Sequence, residues 1–440
     1  MSLSLPIHLD GTPSFEAVLA ELDRRGTNDL EAVAPAVRDI IARVRREGDA
    51  GVHACIEAFE KRRAPALLTR DFDGKGALAR LDPTVREALE VAAYRIDRYH
   101  HRQKVEGFTY EEAGVTLGLQ VRPLRRVGVY APGGKARYPS SVLMTAIPAR
   151  VAGVKEIVLA TPAPNDSLLA AAHLAGVTAI LDAGGAHAIA ALAYGTESVG
   201  RVDKIVGPGN AYVACAKKQV FGEVDIDSIA GPSEILVLAD EGANPALVAA
   251  DLLSQAEHDE AAYCVLVTTS RALAEAVSAA IAAQIETLGR PAIIEASIRR
   301  HAAALVVEGR ARLIALADRI AAEHVGVHLA DADEVAAEIS ASGATLIGEN
   351  SPVAVGDYLA GPSHVLPTGG GARFGSPLGV YDFVARTSLI RYSAGALGRQ
   401  GRLIAALARA EGLDAHARAV ELRLENLRPS EAPGVAADER

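Results

Sequence analysis

Apolar residues recur at helical spacing through most of the first hundred positions. "NDLEAVAPAVRDIIARVRREGDAGVHACIEAFEKR" (28–62) carries them at intervals of three and four, the mark of a helix burying one face. "LDPTVREALEVAAYRIDRYHHRQ" repeats the pattern, with Asp82 placed to cap the helix and Pro83 at its first position. His100 and His101 close that helix, where imidazoles favour the negative end of the dipole, a structural role.

From about residue 115 the period shortens. "VTLGLQVRPL" alternates like a strand, and "RVGVYAPGG" is a short apolar run broken by proline and glycine. Strand-like "EIVLATP", helical "DSLLAAAHLAG", strand-like "VTAILDAGG" and helical "AHAIAALAYGTESV" follow in turn. "KIVGPGN" leads into "AYVACAKKQVFG", and the alternation resumes with "GPSEILVLAD", "PALVAADLLSQAEHD" and "YCVLVTTS". Strands alternating with helices of about 10–15 residues predict βαβ units and a mostly parallel sheet. Two blocks, 128–230 and 231–350, predict two α/β domains. The segment from 385 reads as two helices, and the polar, proline-containing stretch 426–440 as a disordered tail.

The chain has 440 residues, half of them apolar, with no tryptophan and 4% aromatics, so its cores are built from Ala, Val, Leu and Ile. Its net charge of −10 argues against a nucleic-acid or anionic-membrane partner. The three cysteines, Cys55, Cys215 and Cys264, form no CxxC pattern, as in a reduced cytoplasmic protein. No N-terminal signal pattern and no membrane-length apolar run is present.

Within the apolar run, "LLSQAEHDE" (252–260) holds Gln255 and His258 three positions apart, hence on one helix face. A solvated helix end explains that pattern as well as half of a metal site does. "AAEHVGV" sets Glu323 beside His324 where a helix gives way to a strand. Both side chains reach one ligand only at such a junction, and together they supply two proton acceptors near neutral pH. "VGDYLAGPSHVLPTGG" holds Asp357 and His364, and "AEGLDAHARA" holds Glu411 and His416. Gln255, His258, Asp357 and His416 amount to two imidazoles, a carboxylate and an amide oxygen, a set suited to zinc with positions left open. Their spacing matches no zinc signature. The G-x-G-x-x-G dinucleotide fingerprint is also absent: "GGGARFG" (369–375) has Phe374 where its third glycine belongs. The glycine turns "YAPGG" and "GPGNAY" remain as candidates for approach to a nucleotide.

In order and spacing, "GVYAPGGKARYPSSVLM", "GGAHAIAALAYGTESVGRVDKIVGPGNAYV", "GPSEILVLAD", "DLLSQAEHD", "EHVGV", "GDYLAGPSHVLPTGGGARF" and "AEGLDAHARAVELRL" resemble the histidinol dehydrogenases. The resemblance runs from about residue 115 to 424. It implies an α/β fold of two incomplete Rossmann-like domains with mostly parallel sheets and small helical N- and C-terminal segments. The expected parts are an N-terminal segment 1–25, a discontinuous α/β domain of 26–127 and 231–384, a second Rossmann-like domain 128–230, and a C-terminal helical segment 385–425. It further implies a homodimeric cytoplasmic enzyme using zinc and NAD, with terminal segments reaching the partner subunit. Such an enzyme oxidises L-histidinol through L-histidinal to L-histidine, the last steps of histidine biosynthesis.

By the same resemblance Gln255, His258, Asp357 and His416 are the zinc ligands and also touch substrate, and Glu323 and His324 are the catalytic pair. His324, Ser233, His364 and Glu411 contact substrate; Tyr130, His187 and Asn210 contact the cofactor. The chain departs from the family pattern at His187, usually glutamine, at Ser363, usually asparagine, and at Ala322, usually proline. The expected division of labour gives the alcohol proton to His324 and activation of water to Glu323. A cysteine thiohemiacetal route is set aside, since Cys215 lies mid-helix and Cys264 begins a strand, both as small buried hydrophobes. The alternatives are a family paralogue oxidising another alcohol, such as a sulfonated diol, and a catalytically silent zinc-binding protein.

Overall fold

The computed structural model describes residues 3–25, 29–133 and 137–427, so most of the expected tail (428–440) lies outside the described residues. Two parallel sheets of six strands carry the first of two compact units, residues 1–104 and 123–383. In one sheet the strands run in the order Ile7–Leu9, Ala302–Val306, Tyr263–Thr268, Glu234–Ala239, His324–His328 and Ala344–Ile347. In the other the order is Leu68–Thr69, Ala179–Leu181, Glu156–Ala160, Arg126–Tyr130, Lys204–Val206 and Asp225–Ile226. Only Leu68–Thr69 pairs antiparallel there.

Helices cover both faces of each sheet, which is why the strands read as unbroken apolar runs. All six residues of Glu234–Ala239 are buried. Ile235, Val237 and Ala239 pack toward the helix Pro245–Ala256, while Leu236 and Leu238 pack toward the helices Pro13–Leu22 and Arg310–Ile320. Each sheet reverses its winding once. In the first the chain moves outward from Glu234–Ala239 through two strands and returns to its other side at His324–His328. In the second the reversal falls between Arg126–Tyr130 and Lys204–Val206.

The packing differs from the expected division in two respects. The helices between 29 and 101 share cores with the second sheet: Val37, Ile41 and Val44 with Ile189 and Val213, and Leu89 and Ile96 with Val127 and Ile147. The expectation had joined 26–127 to 231–384. An amphipathic helix declares that one face is buried, not which sheet buries it. The N-terminal segment also contributes a strand, Ile7–Leu9, to the edge of the first sheet.

The second compact unit is formed by residues 105–122 and 384–427. Its sheet places Val384–Tyr392 beside Val115–Pro123, which pairs antiparallel with Phe108–Glu112. Two packed helices, Ala394–Ala410 and Asp414–Asn426, complete it. The helical reading held from 394 onward, but "VARTSLIRY" is a strand. Seven of its nine residues are exposed, so no alternation of apolar and polar faces marks it.

Candidate active site

A cavity of about 550 Å³ lies within the first unit, between the carboxyl ends of the second sheet's strands and the amino ends of the first sheet's. The second sheet's rim sits where its winding reverses, at the carboxyl ends where a crevice opens in such sheets, and the first sheet closes the cavity with the amino ends of its strands. Asn210, Ser233, Gln255, His258, Glu323, His324, Asp357 and His364 all line it.

From the second sheet comes the turn Gly207–Asn210. Gly207 has φ +119°, and a Cβ there would meet the carbonyl oxygen of Tyr130 at 2.2 Å, so only glycine fits. Asp227 holds the turn by accepting from the Gly207 N–H at 2.7 Å. Asn210 caps the helix Ala211–Val220, its Oδ1 accepting from the N–H groups of Tyr212 and Val213. This pairing of a glycine turn with a helix N-terminus suits a phosphate-bearing cofactor.

The first sheet supplies the acid–base groups. Glu323 and His324 open the strand His324–His328, at the helix-to-strand junction the sequence indicated. His324 pairs in register with Ile235 and so faces the helix that carries Gln255. Its Nδ1 lies 3.1 Å from the carbonyl oxygen of Glu234. A carbonyl only accepts, so Nδ1 donates, and Nε2, 3.6 Å from Asp357 Oδ1, is the basic position. The carboxylate of Glu323 accepts from the Glu234 N–H at 2.9 Å. Burial pushes the Glu323 carboxyl up to about 7, against the lowering pull of His324. For His324 burial disfavours the proton, but the carboxylates of Glu323 and Asp357 outweigh it and hold its pKa at about 9.

Gln255 sits in the last turn of the helix Pro245–Ala256, with His258 just beyond its end. The His258 N–H still bonds the Gln255 carbonyl at 3.2 Å, so the helical turn continues and the two side chains reach one cavity. Asp357 is presented by a widened helical turn, Val355–Leu359. Its carbonyl oxygen lies 2.9 Å from His364 Nδ1, and His364 Nε2 lies 3.2 Å from Ser141 Oγ. Burial lowers the pKa of His364, favouring the neutral ring that accepts at Nε2 from Ser141.

Gln255 Oε1 is buried and has no hydrogen-bond partner, a cost unless a ligand meets it. An amide oxygen, an imidazole and a carboxylate opening on one cavity make a donor set that fits zinc. Among the described residues, no three His, Cys, Asp or Glu side chains gather as a metal cluster by themselves. Glu411 and His416 belong to the second unit, exposed at the end of one helix and in the first turn of the next.

Two expected cofactor contacts do not line the cavity. Tyr130 is buried with its hydroxyl oxygen accepting from the Gly185 N–H at 2.9 Å. His187 is buried with Nε2 3.0 Å from Glu60 Oε1. Glu60 also accepts from the Gly184 N–H at 2.9 Å, so His187 tightens the turn entering the helix Gly185–Tyr194. Ser363 is buried and donates to the Met144 carbonyl at 3.2 Å. Sequence reasoning missed Glu60, Asp227 and Glu234. Glu234 had a visible signal, a charge at the head of the apolar run "EILVLA".

The family model described as histidinol dehydrogenase matches residues 23–424. A histidinol dehydrogenase of Dechloromonas aromatica is 50% identical over 404 residues, covering 90% of this chain and 93% of that protein. One from Syntrophotalea carbinolica is 50% identical over 419 residues, covering 94% and 97%. The crystal structure of histidinol dehydrogenase from Elizabethkingia anophelis superposes with a TM-score of 0.90 at 32% identity, over 97% of this chain and 99% of that one. The chain belongs to the histidinol dehydrogenase family, whose members are NAD-dependent oxidoreductases.

Proposed function

We propose that the cavity oxidises L-histidinol through L-histidinal to L-histidine, passing one hydride to each of two NAD molecules. The observation that carries this reading is the buried, unpartnered Gln255 Oε1, opening with His258 and Asp357 on the cavity that also holds Glu323 and His324. Gln255, His258 and Asp357, with His416, would hold zinc. Bound zinc supplies a Lewis acid that orients the amine and imidazole of the substrate. The neutral fraction of His324, which grows as pH rises toward its pKa of about 9, accepts the hydroxyl proton at Nε2 as the carbinol hydride leaves for NAD, giving aldehyde and NADH. Glu323 then takes a proton from the water that adds to the aldehyde, and the hydrate yields the second hydride and the carboxylic acid. Ser233 and His364 border the substrate, and Asn210 the cofactor. Tyr130 and His187 act on the cofactor side by holding the backbone at Gly185 and Gly184.

The working form is a homodimer in the cytoplasm, with Glu411 and His416 serving the site of the partner subunit. Support comes from the second unit, where Ile390, Leu403 and Leu407 are 72%, 69% and 69% exposed and the two leucines share one helix face. Among the described residues no helix is long and apolar enough to cross a membrane. The test is NADH absorbance with L-histidinol, NAD and added zinc. Two NADH per histidinol are expected; a yield of one overturns the two-step assignment.

A further inference from the structure

Behind the acid–base pair lies a buried ion pair that the mechanism does not use. Arg25 and Glu234 are 6% and 1% exposed. Arg25 Nε and one terminal nitrogen donate to the two carboxylate oxygens of Glu234 at 2.9 and 3.0 Å, a bidentate fork. The guanidinium also donates to the carbonyls of Leu22 at 2.6 Å and Ile320 at 2.5 Å, tying the N-terminal segment to the end of the helix Arg310–Ile320. Glu234 accepts further bonds from the N–H groups of Gly369 at 2.7 Å and Glu323 at 3.4 Å. Its side chain is therefore held from three directions.

The main chain of the same residue meets both acid–base groups. Its N–H holds the Glu323 carboxylate, and its carbonyl fixes the Nδ1–H of His324. A buried ion pair adds little net stability, because desolvating two charges offsets their attraction. What this one delivers is geometry. With the carboxylate anchored on the face toward Arg25, the peptide units on either side of Glu234 are fixed, and the orientation of both neighbouring side chains with them.

We propose that Glu234, anchored by Arg25, is the positioning residue of the reaction, setting the rotamer of Glu323 and the tautomer of His324 through its own main chain. The inference rests on the roles proposed above for those two groups. The Glu234 carboxylate also raises the Glu323 pKa, so its charge and its main-chain N–H act on that group in opposite senses.

The test compares Glu234→Gln with Arg25→Lys, each loaded with zinc, in single-turnover reactions with L-histidinol and excess NAD. Glu234→Gln keeps the shape of the side chain and removes its charge. Arg25→Lys keeps a charge and loses the fork, and it stands in if the glutamine variant does not fold. Both hydride transfers are expected to slow by on the order of 10²-fold, as for an ångström-scale misplacement, with KM for histidinol within about threefold. In Glu234→Gln the acid limb of the second transfer should also move to lower pH, because Glu323 has lost a negative neighbour. Unchanged rates in folded variants overturn the inference. So does slowing in Glu234→Gln with the acid limb unmoved, the mark of a merely structural role. Glu323→Gln and His324→Ala are measured alongside. If these leave both transfers intact the mechanism itself fails and the inference with it; if they slow the reaction while the Glu234 and Arg25 variants do not, only the inference fails.

Discussion

The carbonyl oxygen of Asp357 lies 2.9 Å from Nδ1 of His364, so a residue proposed to hold metal and one proposed to border substrate stabilise a single loop. Ser141 fixes the far side of the His364 ring. His364→Ala should therefore lower zinc affinity although the ring is not a ligand. Loss of such an outer partner typically costs about 10–100-fold. Competition with a chromogenic chelator measures it, and an affinity equal to the parent's would limit His364 to substrate contact.

Gln255 gives a prediction with two signs. Gln255→Met removes an unpartnered buried oxygen, so the zinc-free protein should gain stability, by about 1 kcal/mol or more. The same change removes a ligand, so the upward shift in melting temperature on adding zinc should shrink. His258→Ala should show the second effect without the first, since His258 is exposed. Chelated parent protein should remain folded, because apolar cores on both faces of two sheets, not the metal, hold it together. A Gln255→Met protein with the parent's full zinc response would remove Gln255 from the site.

Glu323 separates the two oxidations. Hydride transfer from the alcohol needs no water, whereas the aldehyde must be hydrated. In single turnovers Glu323→Gln should release the first NADH readily and the second slower by about 10²–10⁴-fold. The parent's second step should rise with pH through about 7, where this carboxyl loses its proton, and that limb should vanish in the variant. The stability term has the opposite sense. Burial holds the folded pKa above the ordinary glutamate value of about 4.5, so the contribution of Glu323 to folding is full below 4.5 and is lost as pH rises through about 7. Equal slowing of both steps would sink the division of labour.

At His187 the structure points to tuning rather than chemistry, since the ring meets Glu60 and does not line the cavity. His187→Gln retains a donor for Glu60. KM for NAD should change by no more than about tenfold, or ~1.4 kcal/mol. Abolished turnover would show that the ring has a direct part in the reaction.

Leu403→Glu with Leu407→Glu places two charges on the exposed helix face of the second unit. Sedimentation should show a dimer for the parent and a monomer for the double variant, with activity lost in parallel if His416 serves the partner's site. An active monomer would place the whole site in one chain.

Much of the candidate site is legible in the sequence because its polar groups interrupt an otherwise apolar text. Gln255 and His258 stand out within "DLLSQAEHDE", and their helical spacing survives because the turn continues past Ala256. Glu323 and His324 were placed by the change of period at their junction. The Arg25–Glu234 pair was not legible: its partners lie 209 residues apart, and an ion pair across that distance leaves no periodic trace. The strand Val384–Tyr392 escaped for the opposite reason, having too little buried face to impose a pattern.

The candidate cavity meets the first sheet at the amino ends of its strands. Of the segments leaving the carboxyl ends, only the one after Ala344–Ile347, which carries Asp357 and His364, reaches it. The short loops after Glu234–Ala239, Tyr263–Thr268, Ala302–Val306 and His324–His328 do not line it. Six residues of strand put about 20 Å between the two rims. Glu308 and Gly309, both exposed, follow the strand Ala302–Val306 on that outer rim, and the space beside Gly309 is open. A peptide tag or a small reporter domain inserted between them should be carried without disturbing turnover, and this rim is where insertions and deletions can accumulate during divergence without touching the chemistry.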